Sequence, residues 1–85
     1  MVYDYTPHGV CSQHIHLEVE DGVIRSVEFL GGCNGNLKGI SSLVKGMRPE
    51  EAVERLKGIH CGEKPTSCPD QLSRALEEML KSAKQ

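Results

Sequence analysis

The chain has no tryptophan, one phenylalanine and two tyrosines. A protein with so few large apolar anchors builds a thin core. At 85 residues it also buries only about 60 to 65% of the surface its unfolded form exposes, so a metal, a cofactor or a partner subunit is an expected supplement to its stability. It lacks any apolar run near the roughly 18 residues a membrane span needs, and MVYDYTPHGV has neither a basic nor an apolar leader region. A cytoplasmic location is the expectation. Ten basic and twelve acidic residues, net charge −2, are spread along the chain without a basic stripe or an acidic tail, which argues against nucleic acid as a partner, as the lack of an apolar span argues against a membrane. Missing too are a CxxC pair, a Ser/His/Asp array, paired carboxylates and a nucleophile elbow, so zinc-ribbon, thioredoxin-motif and autonomous hydrolase readings find no support.

What is present is four cysteines, Cys11, Cys33, Cys61 and Cys68. In a reducing compartment this number in a small chain points to metal ligation or redox chemistry rather than to a disulfide framework. Their placement follows from the elements around them. In HIHLEVE, Ile15, Leu17 and Val19 share one face of a strand, with His14, His16, Glu18 and Glu20 on the other. Asp21-Gly22 is a favoured two-residue turn and leads into a second strand, VIRSVEFL, so a hairpin is expected from about Gln13 to Leu30. VYDYT, with β-formers at Val2, Tyr3 and Tyr5, is a candidate third strand.

The rest of the chain reads as helical. GGCNGN is a tight loop, after which Leu37, Ile40, Leu43 and Val44 predict an apolar helical stripe from near Asn36 to Gly46. Pro49 opens a second helix, with Ala52, Val53 and Leu56 inward and Gly58 as its stop. A last helix is expected from about Pro69 to Lys81 or beyond, burying Leu72, Leu76, Met79 and Leu80. The sum is one α+β domain over residues 1–85, an antiparallel sheet of two or three strands packed by three helices.

None of the cysteines falls in the middle of an apolar face. Each lies in a loop or at an element end, which weighs against their serving as small core residues. Cys68 is expected at the N-cap of the last helix, ahead of Pro69 at N1, where unpaired backbone N–H groups and the helix dipole favour an anion. Cys33 stands similarly ahead of the first helix. Thiolate is the form that binds metal and attacks electrophiles, so Cys11, Cys33 and Cys68 are candidate ligands of a common site, with Cys61 or a histidine as the fourth. Among the histidines, His14 is the better candidate because it follows Cys11 by three; His16 and His60 rank below it, and all three read first as solvated surface. Arg25, Lys38, Lys45 and Arg55 read as solvated face residues. GGCNGN lacks the Lys-Ser/Thr of a phosphate loop and presents Cys33 rather than cradling a nucleotide.

The pentapeptide Thr66-Ser67-Cys68-Pro69-Asp70, in a short chain with cysteines at 11, 33 and 61, resembles the TSCPD-domain family over nearly the whole chain. Related domains are appendages of adenosylcobalamin-dependent ribonucleotide reductases, so the resemblance implies an accessory role beside ribonucleoside-diphosphate reductase. A more distant similarity, over about residues 10 to 82, is to the NifU/IscU-type iron-sulfur scaffolds. VCSQ, a hairpin ending in GGC, the helix GISSLVKG, the acidic-Ala start of the next helix and a cysteine opening the last helix follow in the same order. By that likeness Cys11, Cys33 and Cys68 match three cluster or zinc ligands, and Ser41, Ser42, Lys45, Gly46, Glu51 and Ala52 the supporting pattern. The sequence thus supports a zinc or iron-sulfur domain with a protein partner in iron-sulfur or ribonucleotide reductase pathways. The alternatives are a thiol redox module in which Cys61 and Cys68 exchange, and a homo-oligomer that binds a cofactor such as a flavin or has inert thiols.

Overall fold

The alternation in residues 12–20 and 23–31 does form an antiparallel hairpin. The computed structural model describes residues 1–10, 12–31, 34–60, 62–63 and 66–83. The strands are β1 (Val2–Tyr5), β2 (Ser12–Glu20) and β3 (Val23–Gly31), in sheet order β1-β2-β3 with antiparallel pairing throughout. Asp21 and Gly22 both take positive φ, 54° and 77°. These are the angles a type I′ turn requires, and its backbone twist matches that of the strands it joins. The helices are α1 (Asn34–Val44), α2 (Pro49–Leu56) and α3 (Cys68–Ala83). The expected α+β architecture of a three-stranded sheet with three helices is therefore present.

The helices pack on the face of the sheet that carries Ile15, Leu17 and Val19. Those side chains join Ile24, Val27, Val44, Ala52, Leu72, Ala75, Leu76 and Met79 in one core. The opposite face, with Asp4, His14, His16 and Glu28, is left partly or fully open. A period of two in the strands and of 3.6 in α3 puts both apolar sets on facing surfaces, which is why the sheet and α3 close on one another.

Two expectations need correction. Leu43 does not join the α1 stripe and is 78% exposed. At about 100° per residue Leu37 and Val44 nearly coincide around the helix, whereas Leu43 lies roughly 100° away from Val44. The helix also starts at Asn34 rather than near Asn36. At its far end Gly46, with φ 90°, turns the chain back: its N–H donates to Ile24 O and the Ile24 N–H to Met47 O, both at 2.8 Å. That corner pairs with the outer edge of β3 at Ile24.

The ladder also has irregularities. Ser12 pairs with Gly31 but His14 with Leu30, so Gln13 is an extra residue in β2. The effect is to invert the facing of the residue before it. Strict alternation groups Ser12 with the outward His14 and His16, yet Ser12 is 3% exposed and Gln13 is on the surface.

Candidate functional site: the start of the last helix

Within the segment Thr66–Gln71 four polar residues are buried: Thr66, Ser67, Asp70 and Gln71 are at most 5% exposed. Buried polar groups persist only when their hydrogen bonds are made. Here they are made partly within the segment and partly by other parts of the chain. Ser67, not Cys68, caps α3: its carbonyl accepts the Gln71 N–H at 2.8 Å and its Oγ accepts the Asp70 N–H at 3.2 Å. The same hydroxyl donates to Ile59 O at 2.6 Å. Cys68 is thus the first residue of the helix and Pro69 the second, so the helix begins one position earlier than the sequence suggested. The reason is that a serine oxygen accepts a backbone N–H far better than a sulfur.

Asp70 and Gln71 extend the network. Asp70 accepts from Gly58 N–H at 2.8 Å and from Thr66 Oγ1, and pairs with Arg74 Nε at 3.2 Å. Burial works against the Asp70 charge, but the Thr66 hydroxyl, the Gly58 N–H, Arg74 and His60 outweigh it and hold the carboxyl below its ordinary value of 3.8. Gln71 donates from Nε2 to Thr66 Oγ1 at 2.9 Å, and its Oε1 accepts from His8 N–H at 3.0 Å and Tyr5 OH at 3.3 Å. The chain from Tyr5 to His8, the corner after α2 and the start of α3 are thereby tied at one place. Gln71 was not singled out by sequence reasoning, and Asp70 was named only within the pentapeptide, although Ser67 with an acid three positions on is a legible cap pattern.

Beside this knot Cys68 is half-buried and a free thiol. Its Sγ lies 3.3 Å from Ser12 Oγ. It opens on a groove of about 470 Å³ between α1 and the start of α3, lined by Gly35, Asn36, Leu37, Gly39, Ile40, Leu43, Ser67, Cys68 and Pro69. Leu43, displaced from the core, is part of that apolar lining. A second groove of about 510 Å³ runs between β3 and α1 past Lys38, Ser41, Ser42 and Lys45, without a thiol among the described residues.

Of the four candidate ligands, Cys68 alone is described. Cys11, Cys33 and Cys61 lie outside the described residues. Among the described residues no three His, Cys, Asp or Glu side chains are grouped to hold a metal ion. His14 is committed elsewhere: Asp4 Oδ1 accepts from His14 Nε2 at 2.9 Å and from His16 Nδ1 at 2.7 Å, on the outer face of the sheet. His60 is exposed, as are Arg25, Lys38, Lys45 and Arg55.

The pentapeptide that forms the knot is also the family's signature, and the TSCPD domain model matches residues 1–80. The chain belongs to the TSCPD-domain family. No curated protein and no solved structure matched it. In this TSCPD domain the five residues divide their work by chemistry: Thr66, Ser67 and Asp70 are consumed in holding the chain together, Pro69 occupies the first turn where its missing N–H costs nothing, and Cys68 brings a thiol to the groove that Ser67 and Pro69 also line. No helix among the described residues is long and apolar enough to cross a membrane.

Proposed function

We propose that this TSCPD domain binds zinc or an iron-sulfur cluster through Cys11, Cys33 and Cys68, with Cys61 as the fourth ligand. The observation that carries the reading is where the described neighbours of the other cysteines lie. On either side of Cys11 in sequence, a side chain at Gly9 would come within 3.3 Å of Thr66 Cγ2, and Ser12 Oγ is 3.3 Å from the Cys68 sulfur. Gly31, two residues before Cys33, pairs with Ser12, while Gly35 and Asn36, just after it, share the groove with Cys68. Ile59, two residues before Cys61, accepts the Ser67 hydroxyl. Stretches far apart in sequence thus approach residues 66–68.

The donor chemistry fits. Thiolates are soft ligands that select zinc and iron-sulfur clusters, and ligation adds folding free energy where a core without large aromatics supplies little. Bound metal supplies either a closed structural centre or one-electron chemistry. The chain's part is to hold Cys68 at the start of α3, where the Ser67 cap and the Asp70 network fix the first turn. Protein purified aerobically and anaerobically is to be analysed for zinc, iron and sulfide. One metal centre per chain is expected, and absence of metal from both preparations overturns the reading.

A second reading, a thiol module that exchanges a disulfide between Cys61 and Cys68 with a partner such as a ribonucleotide reductase, is favoured by the same Ser67–Ile59 bond, which brings the two ends of that loop together. Mass spectrometry of alkylated protein across a series of redox poises tests it; a pair that stays reduced at every poise rules it out.

A further inference from the structure

β3 is an edge of the sheet, so one side of its backbone has no strand beside it. Which groups face that side follows from the ladder. The Val19 N–H donates to Met1 O at 2.8 Å and the Val19 carbonyl accepts from the Met1 amino group at 2.6 Å, on the β1 side of β2. In an antiparallel sheet alternate residues serve the two sides of a strand. Ile15 and Leu17 therefore bond toward β1 as Val19 does, while His14, His16 and Glu18 bond toward Leu30, Glu28 and Ser26. Val27 and Phe29, opposite Leu17 and Ile15, direct their N–H and C=O groups away from the sheet. Ile24 points the same way, and there Gly46 and Met47 meet it with two backbone hydrogen bonds. Among the described residues nothing bonds the backbone of Val27 or Phe29 on that side. The edge is closed at one end and open beyond it, and an open edge is a template for another strand.

Beside the open length runs the groove of about 510 Å³, with β3 as one wall and α1 as the other. Lys38, Ser41, Ser42 and Lys45 fall on one face of α1 by helical spacing, and all four line the groove. Among the described residues no carboxylate pairs with either lysine. Glu28 is the one acidic residue in the lining, and it stands opposite His16 on the open face of the sheet. A strand laid along β3 turns alternate side chains to the two faces. One set then meets the lysines of α1 and the other meets Glu28, so the complementary partner is acidic toward α1 and neutral or basic toward the open face. A second copy of β3 does not match, because the side it turns toward the helices carries Val27 and Phe29 rather than acids.

We propose that the groove between β3 and α1 docks an extended acidic segment of another protein, which joins the sheet as a fourth strand. Its backbone bonds Val27 and Phe29, and its carboxylates, at alternate positions, reach Lys38 and Lys45. The corner at Gly46 and Met47 sets where the added strand stops. This surface does not depend on whether the cysteines hold a metal.

The test uses the full chain and three capped, fluorescently labelled heptapeptides: one of alternating Thr and Glu, the same with Lys for Glu, and the Glu peptide methylated on each Glu nitrogen. Methylation removes the N–H groups that face β3 and keeps the charge. Affinity is read by fluorescence anisotropy, and exchange of the Val27 and Phe29 amides by NMR. The Glu peptide is expected to bind saturably and to slow exchange of those two amides about tenfold at nine-tenths occupancy, because exchange then proceeds from the free tenth. The Lys peptide, the methylated peptide and the Lys38→Glu/Lys45→Glu variant should each show affinity lower by about tenfold or more, a size set by two exposed ion pairs for the charge changes and by lost backbone bonds for the methylated peptide. Thermal unfolding establishes that the variant is folded, and the Lys peptide on the parent carries the charge comparison if it is not. No binding of the Glu peptide at about 1 mM, where even a weak complex would form, overturns the proposal. Equal affinity for the methylated and unmethylated peptides overturns it as well, since charge alone then accounts for binding. Slow exchange of Val27 and Phe29 in the free chain, with a dimer mass in sedimentation, assigns the edge to a second copy and overturns the acidic partner.

Discussion

The Asp70 carboxylate accepts the Gly58 backbone N–H at 2.8 Å, joining the first turn of α3 to the corner that ends α2. Gly58 stands there with φ 83°, the left-handed geometry that closes a helix, and its N–H points at Asp70. The bond fixes where the loop of residues 59–67 leaves α2 and where it enters α3, and so fixes the setting of Cys68. Replacing Asp70 with alanine leaves the buried Thr66 hydroxyl without its acceptor and frees the Gly58 N–H. The expected cost is roughly 3 kcal/mol, measured by urea unfolding, and a loss below about 1 kcal/mol would show that the network is dispensable.

The outer face of the sheet predicts a pH dependence. Hydrogen bonds from His16 and then His14 hold Asp4 below its ordinary carboxyl value of 3.8, and the bond to Asp4 raises His16 above its ordinary 6.5. A raised histidine stabilises the fold fully below 6.5 and ceases to as pH rises through its folded value; a lowered carboxylate stabilises above 3.8 and ceases to as pH falls through its folded value. The Asp4 cluster therefore favours β1 pairing most between these limits. Glu18 and Glu28 also act on His16 and work in the same direction. The stability difference between the parent and Asp4→Asn should peak inside that window, and a difference constant from acid to alkaline pH contradicts the assignment.

Position 43 separates the α1 stripe from the groove. Since Leu43 is 78% exposed, Leu43→Gln should change stability by no more than about 0.5 kcal/mol, whereas Leu76→Ala, at a position with no exposed surface, should cost about 3 kcal/mol. Equal losses at the two sites would place Leu43 in the core after all.

If the cysteines hold a metal, a chelator should lower the thermal midpoint of the parent by several degrees, since a ligand that binds only the folded state stabilises it by mass action. The Cys68→Ser variant should bind less zinc or iron and respond less to the chelator. A parent midpoint indifferent to the chelator, in protein shown to contain metal, would mean that the ion sits on the surface and contributes nothing to folding.

Much of this architecture follows from local pattern. Alternation placed Ile15, Leu17 and Val19 inward, Asp21-Gly22 located the hairpin turn, and helical spacing found Leu72, Leu76 and Met79, because these depend on residues near one another in the chain. The family, too, was legible in one pentapeptide. Helix boundaries were less so: the cap fell on Ser67 because oxygen competes better than sulfur for a backbone N–H, a contest that the order Ser-Cys-Pro does not decide by itself.

What the sequence determined by itself was the elements, their apolar faces and the residues that could do chemistry. Tertiary structure alone decided that Ser12 faces inward, that Gln71 links Tyr5 and His8 to Thr66, and that Cys68 opens on a groove walled by α1. The first depends on the register between two strands, the second on partners 63 and 66 residues apart, and the third on a helix far earlier in the chain. No local propensity encodes such a contact, since it exists only once burial has brought the segments together and their polar groups must find one another in place of water.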